Sequence, residues 1–262
     1  MGEIKDKVVV VTGASRGLGE AMAMGFAAEG ANLVLAARSV EDLERVQKSC
    51  IAAGAASATI AQTDVTNEAQ VAQLVAGPIE FDGRIDIFIA NAGTSYAMLT
   101  EKRYKEIWSY DQDIVEQLLR TNVVGLWLCM KHALPVMTTG SSFIAIGSET
   151  GRALYPGAGM YAISKSSVDA LVTLAAREAA DRGVRVNCLS PGGMVDTQLF
   201  GPEGMPTWLK EAHPPLPLDV IVPAALWLAS ADSADVTGAF ISGKSFNAEG
   251  PAPIKEKIAS RA

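Results

Sequence analysis

The chain has 262 residues, 49% of them hydrophobic, with 22 Lys and Arg against 29 Asp and Glu for a formal charge of −7. That length and apolar content can bury a substantial core, and α/β chains of this size routinely form one domain. The acidic balance, with no stretch that concentrates Lys and Arg, argues against nucleic acid or an anionic membrane as partner.

Taken in chain order, Lys7–Val11 is a continuous apolar, β-branched run ending in Thr12-Gly13, the kind of strand a parallel sheet buries on both faces. Gly17–Glu29 has helical character, and Ala31–Ala36 is the next strand. Val40–Ala53 is predicted helical, Ala58–Gln62 a strand, Asn67–Val75 helical and Arg84–Ala90 a strand. Helical segments follow through Ile114–Met137, then a strand at Ser142–Ile146. A helix after Tyr161 leads to a strand at Val184–Leu189, a helix near Val220–Ala229 and a last strand near Phe240. Alternating strands and helices imply a parallel sheet with right-handed crossovers and helices on both faces. With no linker to split it, 1–262 is expected to be one doubly wound α/β domain, with a long loop over about 194–217 and a tail over about 251–262.

No apolar run approaches the roughly 18 residues of a membrane span. The opening MGEIKDK leads into the first strand with no apolar signal region, and Asp6 stands where a myristoylation pattern wants Ser or Thr. Cys50, Cys129 and Cys188 are far apart and set among apolar residues, so they read as reduced packing residues. Two histidines, His132 and His213, cannot build a His-rich metal cluster. A cytoplasmic protein without a metal is the expectation.

Between the first strand and first helix lies Thr12-Gly13-Ala14-Ser15-Arg16-Gly17-Leu18-Gly19. Glycines there permit a tight turn, close backbone approach to a pyrophosphate and close helix packing, while the helix N-terminus offers free N–H groups and a positive dipole end. Gly13, Ser15, Arg16, Gly17, Leu18 and Gly19 are the candidate phosphate-binding residues. The second strand ends Ala36-Ala37-Arg38-Ser39, where an acidic residue would hold a ribose 2′-hydroxyl and an Arg accommodates a 2′-phosphate. No acid stands there; Arg38, with Arg16 approaching from the glycine turn, favours NADP over NAD, because a planar multi-donor guanidinium suits a phosphate. Asp64-Val65 after the third strand could receive an adenine edge, or form an ordinary helix N-cap region.

Gly13-Ala14-Ser15-Arg16-Gly17 also spells the Gly-x-Ser-x-Gly of a serine-hydrolase elbow, with Ser15 as nucleophile. That reading needs a downstream acid and His, and His132 lies inside an amphipathic helix.

Tyr161 and Lys165 stand one helical turn apart, with Val168, Leu171, Val172 and Ala175 marking the apolar face that follows. A free phenol has a pKa of about 10. A cation close by favours phenolate and can lower that value by roughly 1–3. The pair is expected to act as a tuned proton donor.

With Asn91-Ala92-Gly93 after the fourth strand, the chain resembles the classical short-chain dehydrogenase/reductase family. The resemblance spans nearly the whole chain and rests on TGASRGLG, the NAG, Asn122, Ser148, the YAISK stretch and Ser190-Pro191-Gly192. It implies a Rossmann-like, mainly parallel seven-stranded sheet, a nicotinamide dinucleotide as hydride carrier, and a homodimer or homotetramer. It implies Tyr161 as proton donor in carbonyl reduction and acceptor in alcohol oxidation. Lys165 would lower the Tyr161 pKa and bond the nicotinamide ribose, Ser148 would hold the substrate oxygen, and Asn122 would position Lys165 through a water. Asn91, Ala92 and Gly93 would support cofactor and sheet; Pro191 and Gly192 would shape the nicotinamide pocket.

Three stretches depart from the family pattern. Gly193-Met194-Val195-Asp196-Thr197 is one residue longer than usual, which bears on the cofactor-side roles of Val195 and Thr197. Glu149 follows Ser148 where a small neutral residue is common; it either meets a polar substrate group or faces solvent. The run from Gly243 to Gly250 lacks the frequent Asp-Gly-Gly finish. Leu199, Phe200, Met205, Trp208 and Leu209 make the 194–217 loop either an apolar substrate lid or a packing segment. Tyr96, Met98, Leu99, Tyr155 and Met160 could line the same pocket, suggesting a moderately apolar carbonyl or secondary alcohol as substrate. A non-catalytic NADP sensor on the same fold is the rival from another class, and a sensor has no use for a tuned acid.

Overall fold

In the computed structural model, residues 4–100 and 106–260 are described. Seven strands form one parallel sheet in the order β3-β2-β1-β4-β5-β6-β7. They are β1 Val8–Thr12, β2 Asn32–Ala37, β3 Ser57–Gln62, β4 Ile87–Ala90, β5 Ser142–Ile146, β6 Arg185–Ser190 and β7 Phe240–Ser242. The longer helices are α1 Gly17–Ala28, α2 Val40–Ala53, α3 Glu68–Asp82, α5 Gln112–Leu119, α6 Gly125–Ala133, α8 Gly159–Glu178, α10 Val222–Ala229 and α12 Ala252–Ala259; α4 Tyr96–Leu99, α7 Thr150–Ala153, α9 Thr207–Ala212 and α11 Gly243–Glu249 are short.

The strand residues sort by parity, as a pleated strand covered on both faces requires. Val9 and Val11 of β1 enter the core with Met22 and Phe26 of α1, Leu43 of α2 and Ala224 of α10. Val10, between them, enters the opposite core with Val71 of α3, Leu126 of α6 and Val168 of α8. On that second face Phe88 and Phe143, paired in register across β4 and β5, stack with ring centroids 5.1 Å apart. The strand order reverses between β1 and β4, the kind of switch point beside which open α/β sheets bind ligands at the carboxyl ends of their strands.

Several boundaries differ from expectation for visible reasons. The strand expected from Arg84 begins only at Ile87; just before it, Asp86 Oδ2 accepts the Val8 N–H at 2.8 Å and pairs with Arg84 Nε at 3.0 Å. The helix expected to stop at Val75 runs to Asp82, burying Leu74, Val75 and Pro78, and ends at Gly83, whose φ of +70° suits glycine. The helical stretch Ile114–Met137 is interrupted by one π-helical turn, Arg120–Val124. The stretch treated as a tail contains α12, whose Ile254 and Ile258 pack on the first core. Within 194–217 the chain makes a 3₁₀ turn, Gln198–Phe200, and α9.

Candidate functional site

The glycine turn leaves β1 and is tied to both neighbouring strands. Ala14 N–H donates to the Ala36 carbonyl of β2 at 3.1 Å. On the other side Thr12 Oγ1 accepts the N–H groups of Asn91 and Ala92 at 3.0 and 3.1 Å, and Asn91 Nδ2 donates to the carbonyls of Thr12 and Gly13 at 2.9 and 3.1 Å. A Cβ at Gly19 would land on the Gly13 carbonyl oxygen and 2.5 Å from Asn91 Nδ2, so the helix can enter this close only with glycine there. Gly13 has φ +64°, and a Cβ on it would stand 2.8 Å from Asn91 Nδ2. Arg16 precedes the first helical residue with no side-chain cap, leaving the opening N–H groups of α1 for an anion.

Arg16 and Arg38 are exposed and make no ion pair among the described residues. They follow neighbouring strands whose ends are in register, Thr12 with Ala36. A third arginine was not singled out by sequence. Arg45 of α2 grips Glu20 of α1 through both guanidinium nitrogens, at 2.6 and 2.9 Å, and donates to the Ser15 carbonyl at 2.9 Å, bracing the turn from outside. Asp64 Oδ1 accepts the Thr66 N–H and hydroxyl at 2.9 and 2.8 Å; the cap of α3 is Asn67. Val65 buries its side chain, which a Cβ on Gly125 would meet at 2.8 Å.

The catalytic candidates converge at the carboxyl ends of β4 and β5. Asn122 sits in the π-turn, a feature frequent at functional sites. Its Oδ1 accepts the Thr94 N–H at 2.8 Å; its Nδ2 donates to the Thr94 carbonyl at 2.9 Å and to Ser164 Oγ at 3.0 Å, while Ser164 donates to the Tyr161 carbonyl at 2.7 Å. Asn122 thus fastens the loop after β4 to α8, the helix carrying Tyr161 and Lys165. Gly93 faces both groups: a Cβ there would lie 3.4 Å from Asn122 Oδ1 and 3.8 Å from Lys165 Nζ.

Lys165 is buried and its Nζ donates to the Ile146 carbonyl, the last of β5, at 2.8 Å. Burial pulls its pKa down to about 8. The ammonium lies 5.9 Å from the centre of the Tyr161 ring. Here the expectation of a lowered phenol pKa is corrected. Burial pushes Tyr161 up to about 12, a side-chain hydrogen bond with Ser148 opposes that rise, and nearby Tyr155 adds to it. Loss of hydration outweighs a cation that is turned toward a carbonyl. Ser148 also accepts the Thr150 N–H at 3.2 Å, opening α7.

Ser190, fully buried at the end of β6, donates to Glu149 Oε1 at 2.9 Å and accepts the Gly192 N–H at 3.1 Å. Glu149 is exposed, yet one oxygen is held inward. Pro191 accepts from Lys244 N–H at 3.0 Å. Thr197 lies against the glycine turn, its Cγ2 3.5 Å from a Cβ built on Gly17. Val195 instead turns into the core and bridges to Leu216. Ser95 Oγ bonds the Leu199 carbonyl, joining the loop after β4 to the 194–217 loop.

Among the described residues no group of three or more His, Cys, Asp or Glu could hold a metal ion, and no helix is long and apolar enough to cross a membrane. The uncapped helix start and the glycine cradle fit a dinucleotide's phosphates.

The short chain dehydrogenase family model matches residues 7–205, and the chain belongs to that family. It is 35% identical to 3beta-hydroxysteroid dehydrogenase 1 of Eggerthella lenta, over 90% of this chain and 91% of the relative. It is 30% identical to an uncharacterized NAD-dependent oxidoreductase of Mycobacterium tuberculosis, over 90% and 94% of the two chains. A glycine betaine reductase of Emericella nidulans is 35% identical over 76% of this chain, which spans only 15% of that much longer relative. Among solved structures, carveol dehydrogenase from Mycobacterium avium in complex with NAD superposes with a TM-score of 0.80 at 25% identity, covering 92% of this chain and 97% of its own. The chain is thus an oxidoreductase of the type that uses a nicotinamide dinucleotide on alcohols or carbonyls.

Proposed function

We propose that the chain is an NADP(H)-dependent oxidoreductase moving a hydride between the nicotinamide and a carbonyl or secondary alcohol, with Tyr161 as general acid and base. The observation that carries this reading is the convergence of Ser148, Tyr161, Lys165 and Asn122 at the carboxyl ends of β4 and β5, beside the point where the strand order reverses. The dinucleotide supplies the hydride; the chain's own groups manage the substrate oxygen. Negative charge developing there meets the Ser148 and Tyr161 hydroxyls, and Tyr161 delivers the proton. With its pKa near 12 in the free protein, the phenol is protonated at neutrality, the form that reduction needs. Lys165, a cation below about pH 8, favours the tyrosinate left behind.

Arg16 and Arg38, without ion-pair partners among the described residues and with no acid at the end of β2, support a 2′-phosphate ligand. The glycine turn takes the pyrophosphate and Asp64 with Val65 the adenine; Asn91 to Gly93, Pro191, Gly192 and Thr197 surround the remainder. NAD is the rival, favoured by the names of the Mycobacterium tuberculosis relative and of the NAD complex. The apolar side chains of Tyr96, Met98 and Leu99 on α4, none of them fully buried, support a moderately apolar carbonyl or alcohol, and the hydroxysteroid dehydrogenase name points the same way. The test is a panel of ketones and aldehydes with NADPH and with NADH. Turnover with NADPH on an apolar ketone supports the reading; tight dinucleotide binding with no turnover on any carbonyl or alcohol contradicts it.

A further inference from the structure

We propose that Glu149 is a positioning residue for the nicotinamide half of the cofactor, acting through the Ser190 hydroxyl. The proposal rests on the chain's use of a nicotinamide dinucleotide, and not on the choice between NADP and NAD.

The Pro191-Gly192 turn follows β6 and has little freedom on one side. Gly192 has φ +83°, a Cβ on it would overlap Ser242 Oγ and stand 2.8 Å from Lys244 Cβ, and Pro191 accepts the Lys244 N–H at 3.0 Å. What fixes the other side is Ser190, which accepts the Gly192 N–H at 3.1 Å. A hydroxyl rotates about its C–O bond and chooses its acceptor by what is near. Here the acceptor is Glu149 Oε1 at 2.9 Å, and Ser190 itself is fully buried, with no solvent to replace a lost partner. A hydrogen bond to an ionised acceptor is roughly twice as strong as a neutral one. With its proton committed to the carboxylate, the hydroxyl keeps its lone pairs for Gly192.

Glu149 is one residue past Ser148 and opens α7. Two successive side chains therefore serve two jobs: the Ser148 hydroxyl meets Tyr161, and the Glu149 carboxylate sets the turn through Ser190. A carboxylate that merely faced water would have no reason to reach a hydroxyl at the buried end of β6. The spacing of Tyr161 to this turn, and so the register of hydride donor to proton donor, depends on that link.

The experiment compares the wild type with Glu149→Ala, Glu149→Gln and Ser190→Ala by fluorescence or calorimetric titration. Two ligands are used: the reduced dinucleotide the wild type prefers, and the matching fragment without nicotinamide (2′-phospho-ADP-ribose for NADPH, ADP-ribose for NADH). Glu149→Ala is expected to weaken the dinucleotide about ten-fold, the scale of one charge-assisted hydrogen bond, and to leave the fragment within about two-fold. Ser190→Ala should reproduce this pattern. Glu149→Gln, whose amide oxygen still accepts from Ser190, should recover most of the loss. Equal weakening of both ligands by Glu149→Ala, no weakening of either, or a Gln variant as poor as the Ala variant overturns the proposal alone. Failure of the wild type to bind either dinucleotide overturns it together with the functional reading beneath it.

Discussion

At the glycine turn, the contacts that set shape join backbone to buried groups: Asn91 to the Thr12 and Gly13 carbonyls, Thr12 to the N–H groups of Asn91 and Ala92, and Gly19 against Gly13. At the 194–217 loop they join exposed charges and single carbonyls. Asp196 accepts the Met205 N–H at 2.7 Å and pairs with Lys210 at 2.5 Å, both side chains more than a third exposed, while Ser95 reaches the Leu199 carbonyl. The first end is fixed by two side chains, Thr12 and Asn91, that close on backbone atoms, and by the absence of a Cβ at Gly19. The second is anchored by the buried Val195 and Met205, while its Asp196–Lys210 pair stands where water can compete for it. One end is thus set by geometry that leaves no room for a side chain, the other in part by an exposed pair whose strength water and salt reduce.

The comparison can be broken in four places. Tyr161→Phe should separate chemistry from binding most sharply: turnover falls by about 10²–10⁴-fold, with dinucleotide affinity kept in titration. Loss of both together would mean that Tyr161 shapes the binding end.

Lys165 tests the buried end through stability. Its pKa is lowered from 10.5 to about 8, so over that interval the unfolded chain holds a proton the folded chain has released, and stability rises with pH. Below about 8 the folded protein carries the whole penalty of a buried ammonium. Lys165→Met should therefore raise the melting temperature at pH 7, with a ceiling on the order of 3 kcal/mol less what the orphaned Ile146 carbonyl costs, while turnover is lost. The gain should shrink as pH climbs toward 10.5. Tyr161 works oppositely: its raised value makes the folded state hold the proton longer, so between about 10 and 12 stability falls with pH.

Gly19→Ala, which forces a methyl onto the Gly13 carbonyl, should destabilise by about 1–3 kcal/mol, the range for overpacking, and weaken the dinucleotide as well. An unchanged melting curve would show the turn to be softer than its contacts imply. The smallest effect belongs to Asp196→Asn. Lys210 beside Asp196 holds its carboxyl below the usual range, so its contribution is present above that range and lost as pH falls through it. At neutral pH the variant should melt slightly below the wild type, the difference vanishing in acid, and be cut faster by protease within 194–217, with a shift in substrate KM and none in dinucleotide affinity.

Most of the sheet was legible because strands buried on both faces write themselves as unbroken apolar runs, as in Val8–Val11 and Phe143–Ile146. The glycine turn was legible because a strand that turns straight into a closely packed helix needs glycine where a Cβ would collide, as at Gly13 and Gly19, and the Tyr161–Lys165 pair because one helical turn fixes its spacing. What stayed hidden were bonds from side chain to distant backbone. Nothing in the spacing of Lys165 says that its ammonium is turned to Ile146, nor of Arg45 that it reaches Ser15 across 30 positions. The direction of the Tyr161 shift was missed for the same reason, since burial depends on everything packed around the ring. The short helices α4, α7, α9 and α11 complete too few turns to show a period.

The most direct test of the account is a paired titration of one preparation with NADPH and NADH, read by nicotinamide fluorescence, alongside Arg16→Ala and Arg38→Ala. The account predicts that NADPH binds more tightly, and that either substitution removes about 10–100-fold from NADPH, the worth of a hydrogen bond to a charged group, while NADH is unmoved. Equal or tighter binding of NADH by the wild type would contradict it.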